Sequence, residues 1–307
     1  MADVEGEWDC LGFLAQPYKA FPALKWVGGK TQLIPEITKY IPKEFNTYVE
    51  PFMGGGALFF HLWNEGRFKK AVYNDFNSEI INLYEVLRGR PEELMATIDA
   101  LVEQGFSRDT FNFIRARGYS FTEGCSLEQY QREEVDLAAR TLYLNKTCFN
   151  GLYRQNKKGE FNSPWGKKTE GVTIYDRNNI MACSEALSLL HCLPMNGDFD
   201  SATDYAFDEN DVCFLDPPYV PLTETSDFKS YTSDGFDIED QQRVARAFKR
   251  MADRGVIVIA SNSDTPIVRE LYDGLGEFHS IPARRSINSK GDSRGPVNEA
   301  LIIANAR

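Results

Sequence analysis

Apolar residues in this chain follow two rhythms. Short apolar runs bounded by turn residues read as strands over 47–52, 70–73, 191–195, 212–215, 256–260, 278–281 and 300–304. Between several of them, apolar positions recur at helical spacing over 31–40, 57–63, 79–87 and 239–252, the last with Val244, Phe248 and Met251 on one face. The middle of the chain differs. Residues 91–104, 108–117 and 127–145 keep helical spacing with no strand between them, and an irregular segment follows to about residue 178. A strand, a glycine turn, a helix and a strand ending in an acid form the first half of a doubly wound, mostly parallel α/β sheet. The pattern predicts an extension over 1–20, a sheet domain built from 21–87 and 179–307, and a helical insertion over 88–178.

Composition narrows the class. With 307 residues and 42% hydrophobic content the chain can bury a full core. No apolar run approaches the roughly 20 residues of a membrane span. The early acids Asp3, Glu5, Glu7 and Asp9 carry the wrong charge for a secretory leader, so a cytoplasmic protein is expected. Six cysteines form no CxxC pair and three histidines no HExxH, so reduced thiols and no metal site are expected.

The net charge of −11 argues against indiscriminate affinity for a polyanion. The charge is unevenly spread, however. Arg140, Lys146, Arg154, Lys157, Lys158, Lys167 and Lys168 face one acid, Glu160, within a short stretch that also carries Phe149, Tyr153, Phe161 and Trp165. A second group, Arg284, Arg285, Lys290 and Arg294, is opposed by Asp292 alone. Basic residues interleaved with aromatics fit a nucleic-acid groove.

Two motifs carry chemistry. The run Val212-Cys213-Phe214-Leu215 ends in Asp216-Pro217-Pro218-Tyr219, and two prolines stop a strand there. Open α/β sheets bind ligands at the carboxyl ends of their strands. The Asp216 carboxylate and the Pro217 carbonyl could accept the two hydrogens of an exocyclic amine, with Tyr219 stacked on the ring that bears it. A proline turn after a core strand is the plainer alternative. The second motif, Glu50-Pro51-Phe52-Met53-Gly54-Gly55-Gly56, lies between a strand and a helix, and Asp75 ends the next strand. Phe59 stands where a dinucleotide fingerprint needs its third glycine, so the pattern suits a nucleoside without a pyrophosphate, or simply a tight turn with a capping acid. Gly28-Gly29-Lys30-Thr31 ends like a phosphate loop, but Leu24 replaces its first glycine, which argues against a nucleotide triphosphatase.

Taken in order, Lys25-Trp26-Val27-Gly28-Gly29-Lys30, the Glu50–Gly56 loop, Phe149-Asn150-Gly151-Leu152-Tyr153-Arg154, Gly159-Glu160-Phe161-Asn162, the Asp216–Tyr219 tetrapeptide, Ser261-Asn262-Ser263 and Arg284-Arg285-Ser286-Ile287 resemble the DNA adenine methyltransferase (Dam-like) family, especially members that methylate GATC. The resemblance runs from about Leu24 onward. It implies a class I, Rossmann-like methyltransferase with a DNA-recognition insertion and S-adenosyl-L-methionine as cofactor. The cofactor would be held by Trp26, Lys30, Glu50, Pro51, Phe52, Gly54, Gly56, Asp75, Phe76, Asp198, Phe199 and Asp216. Catalysis would fall to Asp216, Pro217, Pro218 and Tyr219, with the adenine flipped out and the methyl group passed in line.

The resemblance also implies double-stranded DNA as partner. Lys25 would read the first G, and Arg154 beside Leu152 the outer G·C pair, unless Arg154 contacts only phosphate. Asn150, Asn156, Lys157, Trp165, Lys167, Lys168, Arg284 and Arg285 complete the expected DNA surface. Lys167-Lys168 stands where relatives often carry Arg-Tyr, leaving Trp165 as the alternative aromatic wedge, or none. A separately encoded restriction endonuclease is a conceivable partner, and no oligomer is required. The alternatives are an adenine methyltransferase of another specificity, a cytosine N4 methyltransferase, and a catalytically silent DNA-binding module.

Overall fold

The structure is a computed structural model that describes residues 18–26, 28, 30–117, 126–156, 159–167, 169–188, 191–221, 236–284 and 296–306. Lys157, Lys168, Arg285, Val27, Gly29 and most of the 1–20 extension lie outside the described residues.

In chain order the elements are α1 (Ile34–Ile37), β1 (Phe45–Glu50), α2 (Ala57–Asn64), β2 (Phe68–Asp75), α3 (Ser78–Gly89), α4 (Pro91–Val102), α5 (Arg108–Ala116), α6 (Leu127–Thr147), α7 (Arg177–Leu187), β3 (Cys192–Asn196), α8 (Phe199–Thr203), β4 (Val212–Leu215), α9 (Ile238–Asp253), β5 (Ile257–Ser263), α10 (Pro266–Leu271), β6 (Glu277–Arg284) and β7 (Pro296–Ala304). One sheet has the order β3-β2-β1-β4-β5-β7-β6. β3, β2, β1, β4 and β5 are parallel neighbours, and β7 runs antiparallel to both β5 and β6. The expected doubly wound α/β sheet is therefore present, with a single reversed strand.

Alternation along the strands feeds two cores. Tyr48, Tyr73, Phe214, Ile259 and Ile303 point to the side covered by α2, α3 and α7, and the helices α4 to α6 of the insertion join that core. Val49, Val72, Leu215, Val258 and Ile302 point to the side of α8, α9 and α10. β4 is buried along its whole length, as expected of a central parallel strand.

Some expectations need correction. The helix expected over 31–40 is three short pieces, Lys30–Gln32, α1 and Thr38–Tyr40, the outer two of 3-10 type. Pro35 has no N–H to donate, so it tolerates only a helix start, and α1 accordingly begins beside it. Three helices appear where none was expected, α7, α8 and α10. The segments α7 and α10 start at side-chain caps, Asp176 accepting from the Asn179 N–H and Thr265 from the Val268 N–H.

Parallel register brings the carboxyl ends of β1, β2, β4 and β5 to one rim. Leu215 lies opposite Ala260, which sets Asp216 beside Ser261. β7 enters the sheet from the same rim, with Glu299 opposite Ser263.

Candidate active site and DNA face

Asp216 is the centre of the rim. Its Oδ1 accepts from Lys30 Nζ at 2.8 Å and from Ser261 Oγ at 2.7 Å. Among the described residues nothing donates to Oδ2. Lys30 is only 7% exposed; its ammonium also donates to the Gly28 carbonyl at 2.7 Å and lies 4.6 Å from the centre of the Tyr219 ring. Tyr219 donates its hydroxyl to Glu299 Oε2 at 2.9 Å. Burial and the neighbouring charges of Asp216 and Glu299 raise that phenol well above its ordinary range, so it stays a neutral donor.

The two proline carbonyls are not equivalent. Gln241 Nε2 donates to the Pro218 carbonyl at 2.6 Å. Asn262 Nδ2 donates to Gln241 Oε1 at 3.0 Å, and Asn262 Oδ1 accepts from the Val220 N–H at 3.0 Å. Both amides are buried. They brace the tetrapeptide from behind, and no described residue donates to the Pro217 carbonyl. Lys30 belonged to the sequence expectation for the cofactor, whereas Gln241 and Glu299 did not enter it; neither sits in a local pattern, since each reaches the rim through the tertiary fold.

The glycine loop follows β1. Gly54 and Gly56 have φ of +47° and +67°, a conformation glycine adopts without a Cβ clash. Trp26 packs directly on the loop: a Cβ on Gly54 would lie 2.5 Å from the indole Nε1, and one on Gly55 2.8 Å from Trp26 Cβ. Asp75 staples the loop to the next helix, accepting from the Gly54 N–H at 2.8 Å and the Asn77 N–H at 2.9 Å. Burial raises its carboxyl pKa against the pull of those two bonds. The loop is further held where Asn74 Nδ2 donates to the Pro51 carbonyl and Tyr84 donates to the Gly54 carbonyl. Phe76, next to Asp75, is 86% exposed.

Glu50 is 3% exposed and its Oε2 has no hydrogen-bond partner among the described residues. Burial pushes its carboxyl well above the usual range. An orphaned buried acid near an open rim suits a cationic group, and the two positive centres of S-adenosylmethionine meet that requirement.

Asp198 and Phe199 open α8. Asp198 caps it through the Asp200 N–H and receives two bonds from Arg243 at 2.7 and 2.8 Å. Burial opposes ionisation, but the Arg243 bonds prevail and hold Asp198 below the usual carboxylate range. Phe199 is buried, stacked on Phe52 at 5.1 Å with the Arg243 guanidinium 4.9 Å over its ring.

The basic segment expected to meet DNA forms an irregular hairpin at the C-terminal end of α6. Isolated bridges pair Cys148 with Trp165 and Gln155 with Phe161. Asn150, in the left-handed region at φ +57°, Arg154, Asn156 and Lys167 are exposed. Arg154 Nε donates to Asn162 Oδ1 at 3.0 Å, and Asn156 pairs with Glu160. Lys25 is exposed beside the hairpin, its stem packed against Gly151.

The aromatics divide sharply. Phe161 is buried, Tyr153 stacks on Trp26 and hydrogen-bonds Glu79, and Trp165 is half-buried against the core. Phe149 is the exposed one, at 53%. Arg140 also leaves the basic cluster: it is buried, donating to the Ile114 and Arg115 carbonyls and to Glu79. Arg284 ends β6, away from this hairpin in the chain. No group of three or more His, Cys, Asp or Glu that could hold a metal, and no helix long and apolar enough to cross a membrane, occurs among the described residues.

Residues 26–287 match the model of the D12 class N6 adenine-specific DNA methyltransferases. The chain belongs to this family. It is 41% identical to the type II methyltransferase M1.LlaDCHI of Lactococcus lactis subsp. cremoris over 92% of this chain and 94% of that one. It is 37% identical to the type II methyltransferase M.MjaIII of Methanocaldococcus jannaschii, covering 92% and 98%, and 31% identical to the DNA adenine methylase of Escherichia coli strain K12, covering 91% and 94%. The enzyme is thus an adenine-specific DNA methyltransferase, its family implying S-adenosylmethionine as methyl donor and DNA as substrate.

Proposed function

We propose that this D12 enzyme methylates the adenine N6 of GATC in duplex DNA after turning the base out of the helix. The observation that carries the amine chemistry of this reading is the pair of acceptors at the rim that no described residue engages, Asp216 Oδ2 and the Pro217 carbonyl, beside neighbours whose bonds are already made. N6 inside a base pair is out of reach, so the adenine must leave the stack. The two acceptors then take the two N6 hydrogens and draw the nitrogen toward tetrahedral geometry, aiming its lone pair away from the rim. Bound S-adenosylmethionine supplies an electrophilic methyl group. Lys30 and Ser261 fix the carboxylate, and the Gln241–Asn262 pair fixes the backbone, so the dipoles are set before the base arrives. The N6 proton that becomes acidic on methylation leaves without a strong base.

For the cofactor, Glu50 and Asp216 would face its positive groups, Asp75 its ribose, and Phe76 and Asp198 its adenine, with Trp26, Lys30, Pro51, Phe52, Gly54, Gly56 and Phe199 shaping the pocket around them. For DNA, Lys25, Leu152 and Arg154 would read the outer base pairs. Asn150, Asn156 and Lys167 would line the backbone, and the exposed Phe149, in place of Trp165, would be the aromatic that stacks into the duplex.

Base-resolved mapping of an unmodified plasmid incubated with the enzyme and S-adenosylmethionine tests this directly. N6-methyladenine confined to GATC is expected. Another motif would keep the chemistry and refute the roles of Lys25 and Arg154; methylcytosine would overturn the target base. The relatives named as type II methyltransferases motivate a partner restriction endonuclease encoded separately, and modified DNA should resist a GATC endonuclease blocked by N6 methylation.

A further inference from the structure

Asn145 stands in the last turns of α6, fully buried, between the two parts of the proposed reading surface. Its Oδ1 accepts from the Lys25 N–H at 2.8 Å, and its Nδ2 donates to the Lys25 carbonyl at 2.9 Å and to the Gly151 carbonyl at 3.3 Å. One amide thus pins the backbone of Lys25 from both sides and ties it to the hairpin turn that carries Asn150, Leu152 and Arg154. The reverse orientation of the amide would set oxygen against two carbonyls, so the assignment is fixed by the network. Contact from the other side is equally tight. A Cβ on Gly151 would come within 2.5 Å of Lys25 Cδ and 3.0 Å of Cγ, so the bare glycine, at φ +68°, is the wall along which the lysine stem runs.

We infer that Asn145 is a specificity-positioning residue that holds Lys25 and the Asn150–Arg154 turn in one register toward the DNA. The inference rests on the proposed base-reading role of Lys25. No apolar residue of similar size replaces this function, because it would leave the Lys25 N–H and two carbonyls without partners in a buried place. Neither Lys25 nor Arg154 touches the reacting nitrogen in this reading, so the consequence of losing the clamp is a change in which sequences are methylated.

A double-mutant cycle separates this from a role in folding alone. kcat/KM is measured on duplexes carrying the mapped target sequence and on duplexes altered at one outer base pair, for the wild type, Asn145→Ala, Lys25→Ala and both together. Asn145→Ala is expected to cut discrimination at the base pair read by Lys25 by about tenfold, with KM for S-adenosylmethionine unchanged and no further loss on the Lys25→Ala background. An equal fall on every duplex, or the same loss on both backgrounds, would show a structural role only and overturn the inference. If Lys25→Ala itself leaves discrimination intact, the reading role fails first and the inference falls with it. Should Asn145→Ala not fold, Gly151→Ala pushes directly on the same lysine stem and is expected to produce the same selective loss; unchanged discrimination in that variant overturns the inference too.

Discussion

Because Lys30 and Ser261 both bond Asp216 Oδ1, the remaining capacity of that carboxylate lies on Oδ2. Asp216→Ala removes the acceptor and leaves Lys30 as a buried ammonium beside an aromatic ring. Turnover should fall to near background in a methyl-transfer assay, while circular dichroism shows a folded protein; wild-type turnover would refute the proposed role. Glu50 allows a second residue-level test. Its folded pKa is raised, so the folded state holds a proton that the unfolded chain has released. The enzyme therefore loses stability from this group as pH rises from the ordinary carboxylate value toward the folded one. Glu50→Gln abolishes that slope. Melting temperatures across acid to neutral pH should converge at the acid end and favour Glu50→Gln at the neutral end, and parallel curves would contradict the raised pKa.

The rim is held by α9 and β5 acting together, since Gln241 and Asn262 belong to different elements and meet behind the tetrapeptide. Gln241→Leu keeps the volume but frees the Pro218 carbonyl. Its kcat is expected to fall about a hundredfold, the scale of a small misplacement near the reacting atoms, with little change in KM for DNA. Equal kcat would mean the brace does not set the geometry. What could be read beforehand follows the range over which each signal acts. β4 and its terminal prolines were legible because a buried strand and its stop are both local. The apolar spacing over 31–40 continues through the break at Pro35, so periodicity alone reads one helix where there are three short pieces. The helix α7 is hard to read because only Ile180 and Leu187 of its buried face are large, the rest being Ala182, Cys183, Ser184 and Ala186, which periodicity weighs lightly; the Asp176 cap is the usable signal. Arg140 was counted as surface charge because nothing local shows that the Ile114 and Arg115 carbonyls need it.

For the molecule as a whole, an acidic protein must present a basic face locally if it is to hold DNA. Lys25, Arg154 and Lys167 lie exposed around the hairpin, while much of the net charge of −11 lies elsewhere. Binding to a target duplex, followed by fluorescence anisotropy, should weaken at least about tenfold between roughly 50 and 200 mM salt; a flat response would place the DNA on another surface. The sheet order carries one more implication, for biosynthesis. β7 is inserted between β5 and β6, which are both made before it, and Glu299 on β7 is the partner of the Tyr219 hydroxyl. A ribosome must therefore deliver residues 296–304 before β5 and β6 can be joined and Tyr219 seated. Until then the nascent chain exposes an unpaired edge of β5, so translation stalled or terminated before Pro296 yields a protein that is inactive and prone to edge-to-edge aggregation.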